Sequence, residues 1–221
     1  MVDDKIFAVL TGDLVGSSRF KTGEQRSKVL SVLKDSFDKI EPPNIIASRF
    51  TIHRGDSFQG VLHSPEEALK VAIIIRANLL SKSFGKKLRL DARISIGVGK
   101  IDYLRDDQVG EGEGEAFRNS GLELDKMKGE QHITVKTPWD EINEELQTGC
   151  ALLDALINRW TKEQAEAIIY HIQGYKQEDI AKKLNTSQSA VSQRQGIGGA
   201  WAVHLFFERF KLIVKHKARD L

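Results

Sequence analysis

The chain is poor in the residues that build exported or membrane proteins. Its 221 residues include one cysteine, Cys150, so neither an intramolecular disulfide framework nor a cysteine-rich zinc site can form. No run approaches the roughly 18 uncharged apolar residues of a membrane helix. The first residues, Met1-Val2-Asp3-Asp4-Lys5, place acids where a secretory signal carries bases, and the expectation is a soluble, cytoplasmic protein with no membrane partner. Proline is scarce, with 4 residues, and aromatics make up 7%. Low-complexity tracts and internal repeats are missing, as is any Gly/Ser-rich linker. No two histidines share a metal-ligand spacing with an acid.

What is present is a charge asymmetry. Residues 161–221 hold 10 Lys/Arg against 6 Asp/Glu, whereas residues 1–160 hold 23 against 25, so the formal charge of +2 conceals a basic C-terminal quarter. Excess positive charge at one end points weakly toward a polyanion and equally suits a solvated helix face.

Hydrophobic periodicity divides the chain. Ile6 to Leu10 is a continuous apolar run ending in Thr11-Gly12-Asp13, the pattern of a central strand buried on both faces. Val29, Leu30, Leu33, Phe37 and Ile40 recur at helical spacing, and Pro42-Pro43 ends that element. Residues 45–52 and 58–62 read as a hairpin turning near Arg54-Gly55-Asp56. Ser64-Pro65-Glu66-Glu67 reads as a hydroxyl-capped start of a helix running to about Phe84. Leu88 to Ile96 alternates as a half-buried strand, with Gly97, Gly99 and residues 106–114 as loop. A helix from Glu115 to about Lys128 and a strand at residues 132–135 follow. The order suits an α+β sandwich of the ferredoxin-like kind, helices on one face of a mostly antiparallel sheet. Past Pro138 only helices are expected. The organisation is then residues 1–138, a helical connector at 139–160, and an all-α region at 161–221.

The densest motif lies in that last region. From Tyr175 to Arg194, Ile180 and Leu184 take inward positions and Ala181 is small where a second helix crosses. Asn185 can adopt the left-handed conformation that ends a helix, Ser187 can cap the next, and Val191 plugs it into the core. The segment resembles the helix-turn-helix of sigma factors and LuxR-type regulators. On that resemblance Gln188, Ser189, Ser192 and Gln193 face base edges in the major groove, and Lys176, Lys182, Lys183 and Arg194 hold phosphates of double-stranded DNA. The other reading is a helical pair used for protein docking. In the final helix, Val203, Phe206, Phe207, Phe210, Ile213 and Val214 form an apolar stripe, readable as a homodimer seam or as packing against the rest of the region.

The N-terminal region carries a carboxylate pair. Asp13 ends the first strand before the small-residue turn Gly16-Ser17-Ser18, and Asp56 sits at the hairpin turn. If the hairpin lies beside the first strand, the two acids meet at one edge of the sheet, the minimum for Mg²⁺ with a nucleotide triphosphate; turn-capping is the competing role. Residues 6–135 resemble the class III nucleotide cyclase fold, shared more distantly with diguanylate cyclases. Asp13-Leu14-Val15-Gly16-Ser17-Ser18 is similar to that family's first metal motif, Gly55-Asp56 to its second acid, and Gly114 to Leu122 to its catalytic helix. The resemblance assigns Mg²⁺ to Asp13 and Asp56, and a nucleotide to the amides of Gly16, Ser17 and Ser18. It also exposes departures: Arg118 stands where the family has its ribose-positioning Asn, Leu122 where it has its transition-state Arg, and Ile52 where it has its base-selecting Lys. Losing a cation that meets developing charge typically costs about a hundredfold or more in rate, so efficient cyclisation is not expected.

The full arrangement, cyclase-like domain then helix-turn-helix, resembles the SatD family of bacterial proteins, described as DNA-binding regulators. The function this implies is transcription regulation with a degenerate cyclase-like sensor or dimerisation domain. The alternative is a Mg²⁺-dependent nucleotide cyclase or related nucleotidyl enzyme tethered to DNA.

Overall fold

In the computed structural model, residues 5–20, 22–40, 42–53, 55–84, 88–104 and 112–219 are described. Strand β1 (Ile6–Leu14) is central, paired antiparallel on one side with β3 (Ser57–Leu62) and on the other with β6 (Ala92–Tyr103). Strand β2 (Ile46–His53) pairs with β3 beyond it, through two irregularities in register. On the far side β8 (Ile133–Lys136) lies parallel to β6, and the two-residue β7 (Glu113–Gly114) pairs with the end of β6. A separate two-residue ladder joins β4 (Ser83–Phe84) to β5 (Leu88–Arg89). The apolar run in β1 is buried on both faces: Ala8 and Leu10 point into the main core, and Val9 packs on the opposite side with Val61 and Ala116.

Helices cover both faces of the sheet, where the sequence pattern suggested one. Helices α1 (Gly23–Asp38) and α2 (Ala68–Leu80) lie on the main-core side, and α3 (Glu115–Lys126) lies on the other. This arrangement also corrects the loop expected at Gly97 and Gly99, because β6 runs straight through both. A Cβ at Gly97 would fall 2.2 Å from the Ala116 carbonyl oxygen and 2.4 Å from the Ser120 nitrogen, so α3 sits directly on the strand where side chains are missing. Residues 94–99 of β6 are accordingly buried on both faces rather than half-buried. Of the loop expected at 106–114, residues 106–111 lie outside the described residues.

Two helix boundaries also differ. Ser64 makes no side-chain cap; residues 65–67 form a 3₁₀ turn, and α2 follows from Ala68 and stops at Leu80, short of Phe84. Every residue of α2 except Lys70 is buried. A helix buried all round needs cover all round, and α2 receives it from the sheet and α1 on one side and from C-terminal helices on the other. Those helices are α4 (Asp140–Ile157), α5 (Lys162–Ile172), α6 (Gln177–Lys183), α7 (Gln188–Ile197) and α8 (Ala200–Lys217). The hydrophobic core therefore runs from the sheet through α2 into α4, α5 and α8 without a break. Val203, Phe207, Phe210, Ile213 and Val214 of α8 are buried in it, and Phe206 packs against it, so that stripe is core and not a seam between chains. Cys150 is buried too, and burial pushes its thiol well above the usual range, leaving it an unreactive packing residue.

Candidate functional site

The α6–α7 pair has a small core of its own, made of Ile180, Ala181 and Val191 with Tyr170 and Leu184 against it. Asn185 is the one non-glycine residue with positive φ among the described residues, at 48°. The Thr186 amide donates to the Ala181 carbonyl at 3.0 Å and closes the turn. Ser187 stays extended, and its hydroxyl accepts from the Ala190 amide at 3.2 Å, capping α7. Small residues and one left-handed position thus let two short helices meet closely.

Gln188, Ser189, Ser192 and Gln193 are all exposed on α7. Lys176, Lys182 and Lys183 are exposed on and beside α6, and Arg194 is half-buried. The Lys183 ammonium stands 4.6 Å from the Tyr175 ring centre and 5.6 Å from that of Tyr170, so two aromatic faces hold it in place. Lys176 and Gln188 line one shallow cavity with His171, Tyr175, Gln177 and Gln195. Burial and the neighbouring His204 lower the His171 pKa from its ordinary value, favouring a neutral imidazole there. Gln195 was not among the residues singled out from the pattern. It is buried on the inner side of α7 and accepts from Gln177 Nε2 at 2.8 Å, tying α7 to α6. The available signal was its position four residues after Val191, on the face where an apolar residue is expected.

The acid pair occupies the end of the sheet rather than an edge, since β1 is central. Asp13 opposes Ser57 on β3 and Arg93 on β6. Arg93 grips it bidentately, Nε to Oδ1 at 2.9 Å and Nη2 to Oδ2 at 2.5 Å, and this hydrogen bonding holds the guanidinium above its ordinary pKa. Asp56, in the β2–β3 turn, accepts from the Ser17 hydroxyl at 2.7 Å, while its carbonyl accepts from the Leu14 amide. Both acids are therefore engaged by protein donors. Among the described residues no group of three or more His, Cys, Asp or Glu is placed to hold a metal. As arranged, the donor set does not fit a two-carboxylate Mg²⁺ site, because both oxygens of Asp13 already neutralise an arginine.

A cavity of about 270 Å³ opens beside Asp56. Its walls are Ser17, Ser18, Arg26 and Asp56 on the polar side and Leu14, Phe20, Val29 and Leu30 on the apolar side. Gly16 is at the turn with φ 68°, which brings Ser17 and Ser18 round to that cavity, but Gly16 itself does not line it. Asp13 does not line it either. Arg26 and the apolar wall of α1 were missed by sequence reasoning, since an amphipathic helix shows which face is buried but not where a neighbouring turn stops short of covering it.

Of the positions that depart from the cyclase pattern, Arg118 alone carries a cation. Leu122 is 59% exposed. Arg118 is exposed and stands 3.8 Å from Asp102, Asn119 donates to the Val98 carbonyl at 3.0 Å, and Ile52 packs against the main core.

No curated protein matches the chain. Among solved structures, the active GGEEF domain of a diguanylate cyclase from Vibrio cholerae aligns with 55% of this chain and 76% of that one, at 19% identity and a TM-score of 0.39. The SatD family profile matches residues 7–209, spanning the sheet, α2 and all but the last turns of α8. With a mixed α+β architecture and a match over nearly its whole length, the chain belongs to the SatD family.

Proposed function

We propose that the protein is a DNA-binding regulator whose α6–α7 pair reads duplex DNA and whose sheet domain senses a small ligand rather than turning one over. The observation that carries this reading is the exposed N-terminal half of α7. Four side chains able to hydrogen-bond base edges, Gln188, Ser189, Ser192 and Gln193, stand on a helix that is capped, tied to α6 through Gln195 and backed by its own core. Exposed Lys176, Lys182 and Lys183 surround it as phosphate contacts, joined by Arg194. No helix among the described residues is long and apolar enough to cross a membrane.

The test is binding of the full chain to a random duplex library, followed by salt titration on selected sequences. Alanine at Gln188, Ser189, Ser192 and Gln193 is expected to abolish discrimination among sequences and leave a salt-sensitive residual affinity from the lysines. Absence of binding at about 100 μM chain and low salt removes the reading, because non-specific association alone is measurable there.

The cavity beside Asp56 favours a second element, a nucleotide as the sensed ligand. Ser17, Ser18 and Arg26 supply donors and Leu14, Phe20 and Val29 an apolar wall. Turnover would need charge where it develops in the transition state, and Leu122 and Arg118 do not supply it. Calorimetry with ATP and GTP, with and without Mg²⁺, is expected to give weak binding lost in Arg26→Ala, with no cyclic product. Cyclic nucleotide formation abolished by Asp13→Asn would instead establish the enzyme reading.

A further inference from the structure

Helices α4 and α8 form a layer whose outer surface no described residue covers, and the residues on it have a pattern. The two helices run antiparallel. Glu141 bonds Lys217 and Glu145 bonds Arg209 at one end, Phe206 lies over Gly149 midway, and Leu156 approaches Gly199 at the other end. At the Gly199 end the exposed residues are mostly apolar: Ala151, Leu152 and Ala155 on α4, Trp201 and Leu205 on α8, with His204 as the polar exception on α8. Trp201 is 75% exposed, Leu152 67% and Leu205 53%. At the opposite end most exposed residues are charged and sorted by helix, with Leu212 of α8, 64% exposed, as an apolar exception. α4 carries acids, Asp140 and Glu144, and α8 carries bases, Arg209 and Lys215. Single exposed apolar side chains need no explanation, but five of them on neighbouring turns of two packed helices form a patch.

We propose that this surface is where a second copy of the chain docks, on a two-fold axis running between α4 and α8 and parallel to both. Rotation about that axis lays the partner copy's α4 over α8 and its α8 over α4, without exchanging their ends. The apolar end then meets the apolar end, and the acidic half of each α4 meets the basic half of the other copy's α8. A two-fold interface must be self-complementary, and sorting acids to one helix and bases to the other satisfies this over the full length of both helices about that axis. An axis perpendicular to the helices at their midpoints would set the apolar end against the charged end and bury charges on leucine and tryptophan. The docked pair is a four-helix layer with antiparallel neighbours. The proposal does not depend on DNA binding, since none of these residues lies on the exposed face of α7.

Sedimentation velocity on the full chain across a concentration series, without DNA, tests this. A reversible dimer is expected. Leu152→Glu and Trp201→Glu are each expected to give a monomer with an unchanged far-ultraviolet circular dichroism spectrum, since both positions are exposed. Glu144→Lys and Arg209→Glu are each expected to weaken association about tenfold, and the double reversal to recover most of it, as like charges become opposite again. A monomer at every concentration overturns the proposal, as does a dimer indifferent to Leu152→Glu and Trp201→Glu. A double reversal no tighter than either single change overturns the axis.

Discussion

Arg76 shows how far a single residue can be committed by its surroundings. It is wholly buried within α2 and bonds Asp91 through Nε and Nη2 at 2.9 and 2.8 Å, Asp154 through Nη1 at 2.7 Å, and Asn158 at 2.8 Å. A buried guanidinium without such partners would be untenable, and here it joins α2 to the start of β6 and to α4. Asp154 also accepts from the His132 and Ile133 amides, which fixes where β8 begins. Burial raises the Asp154 pKa above its ordinary 3.8, with Arg76 opposing the shift. The folded state therefore takes up this proton more readily than the unfolded one. Relative to Asp154→Asn, the wild type is expected to lose stability as pH rises from 3.8 through the folded value and then level off. Urea midpoints of both proteins at stepped pH check this; a difference that rises with pH, or stays flat, refutes it.

At the scale of elements, two contacts decide geometry. α3 rests on β6 at Gly97, where the nearest atoms are backbone of Ala116 and Ser120 and cannot rotate aside. Gly97→Ala is expected to cost about 1–3 kcal/mol in urea unfolding, through displacement of α3. α7 begins with the Ser187 cap on Ala190, and Ser187→Ala is expected to cost about 1 kcal/mol by the same measurement. A loss in DNA affinity larger than that stability change would show that the start of α7 matters for recognition as well as for folding.

For the whole molecule the governing fact is a core shared between the sheet and the C-terminal helices. Phe210 is fully buried where α8 meets that core, and Trp160 donates to the Gly198 carbonyl at 2.7 Å, anchoring the turn before α8. Phe210→Ala is expected to cost about 3–5 kcal/mol, and tryptophan fluorescence and far-ultraviolet circular dichroism should shift together as one transition. Two separated midpoints would mean that the sheet and the helices unfold independently.

Several of these features follow from local chemistry and were legible in the sequence. The β1 run, the 45–62 hairpin, the Asn185 turn and the Ser187 cap depend on residues within a few positions of one another, and backbone sterics act at that range. The tertiary structure decided what depends on distant partners. α3 crossed to the far face of the sheet because Gly97 and Gly99 leave room for it. The stripe on α8 became core because α2, buried at every position but Lys70, needed cover. Asp13, read as a metal ligand from its motif, is bound by Arg93 from a strand 80 residues away. An acid's role depends on the charge nearest to it in space, and no spacing along the chain specifies that neighbour.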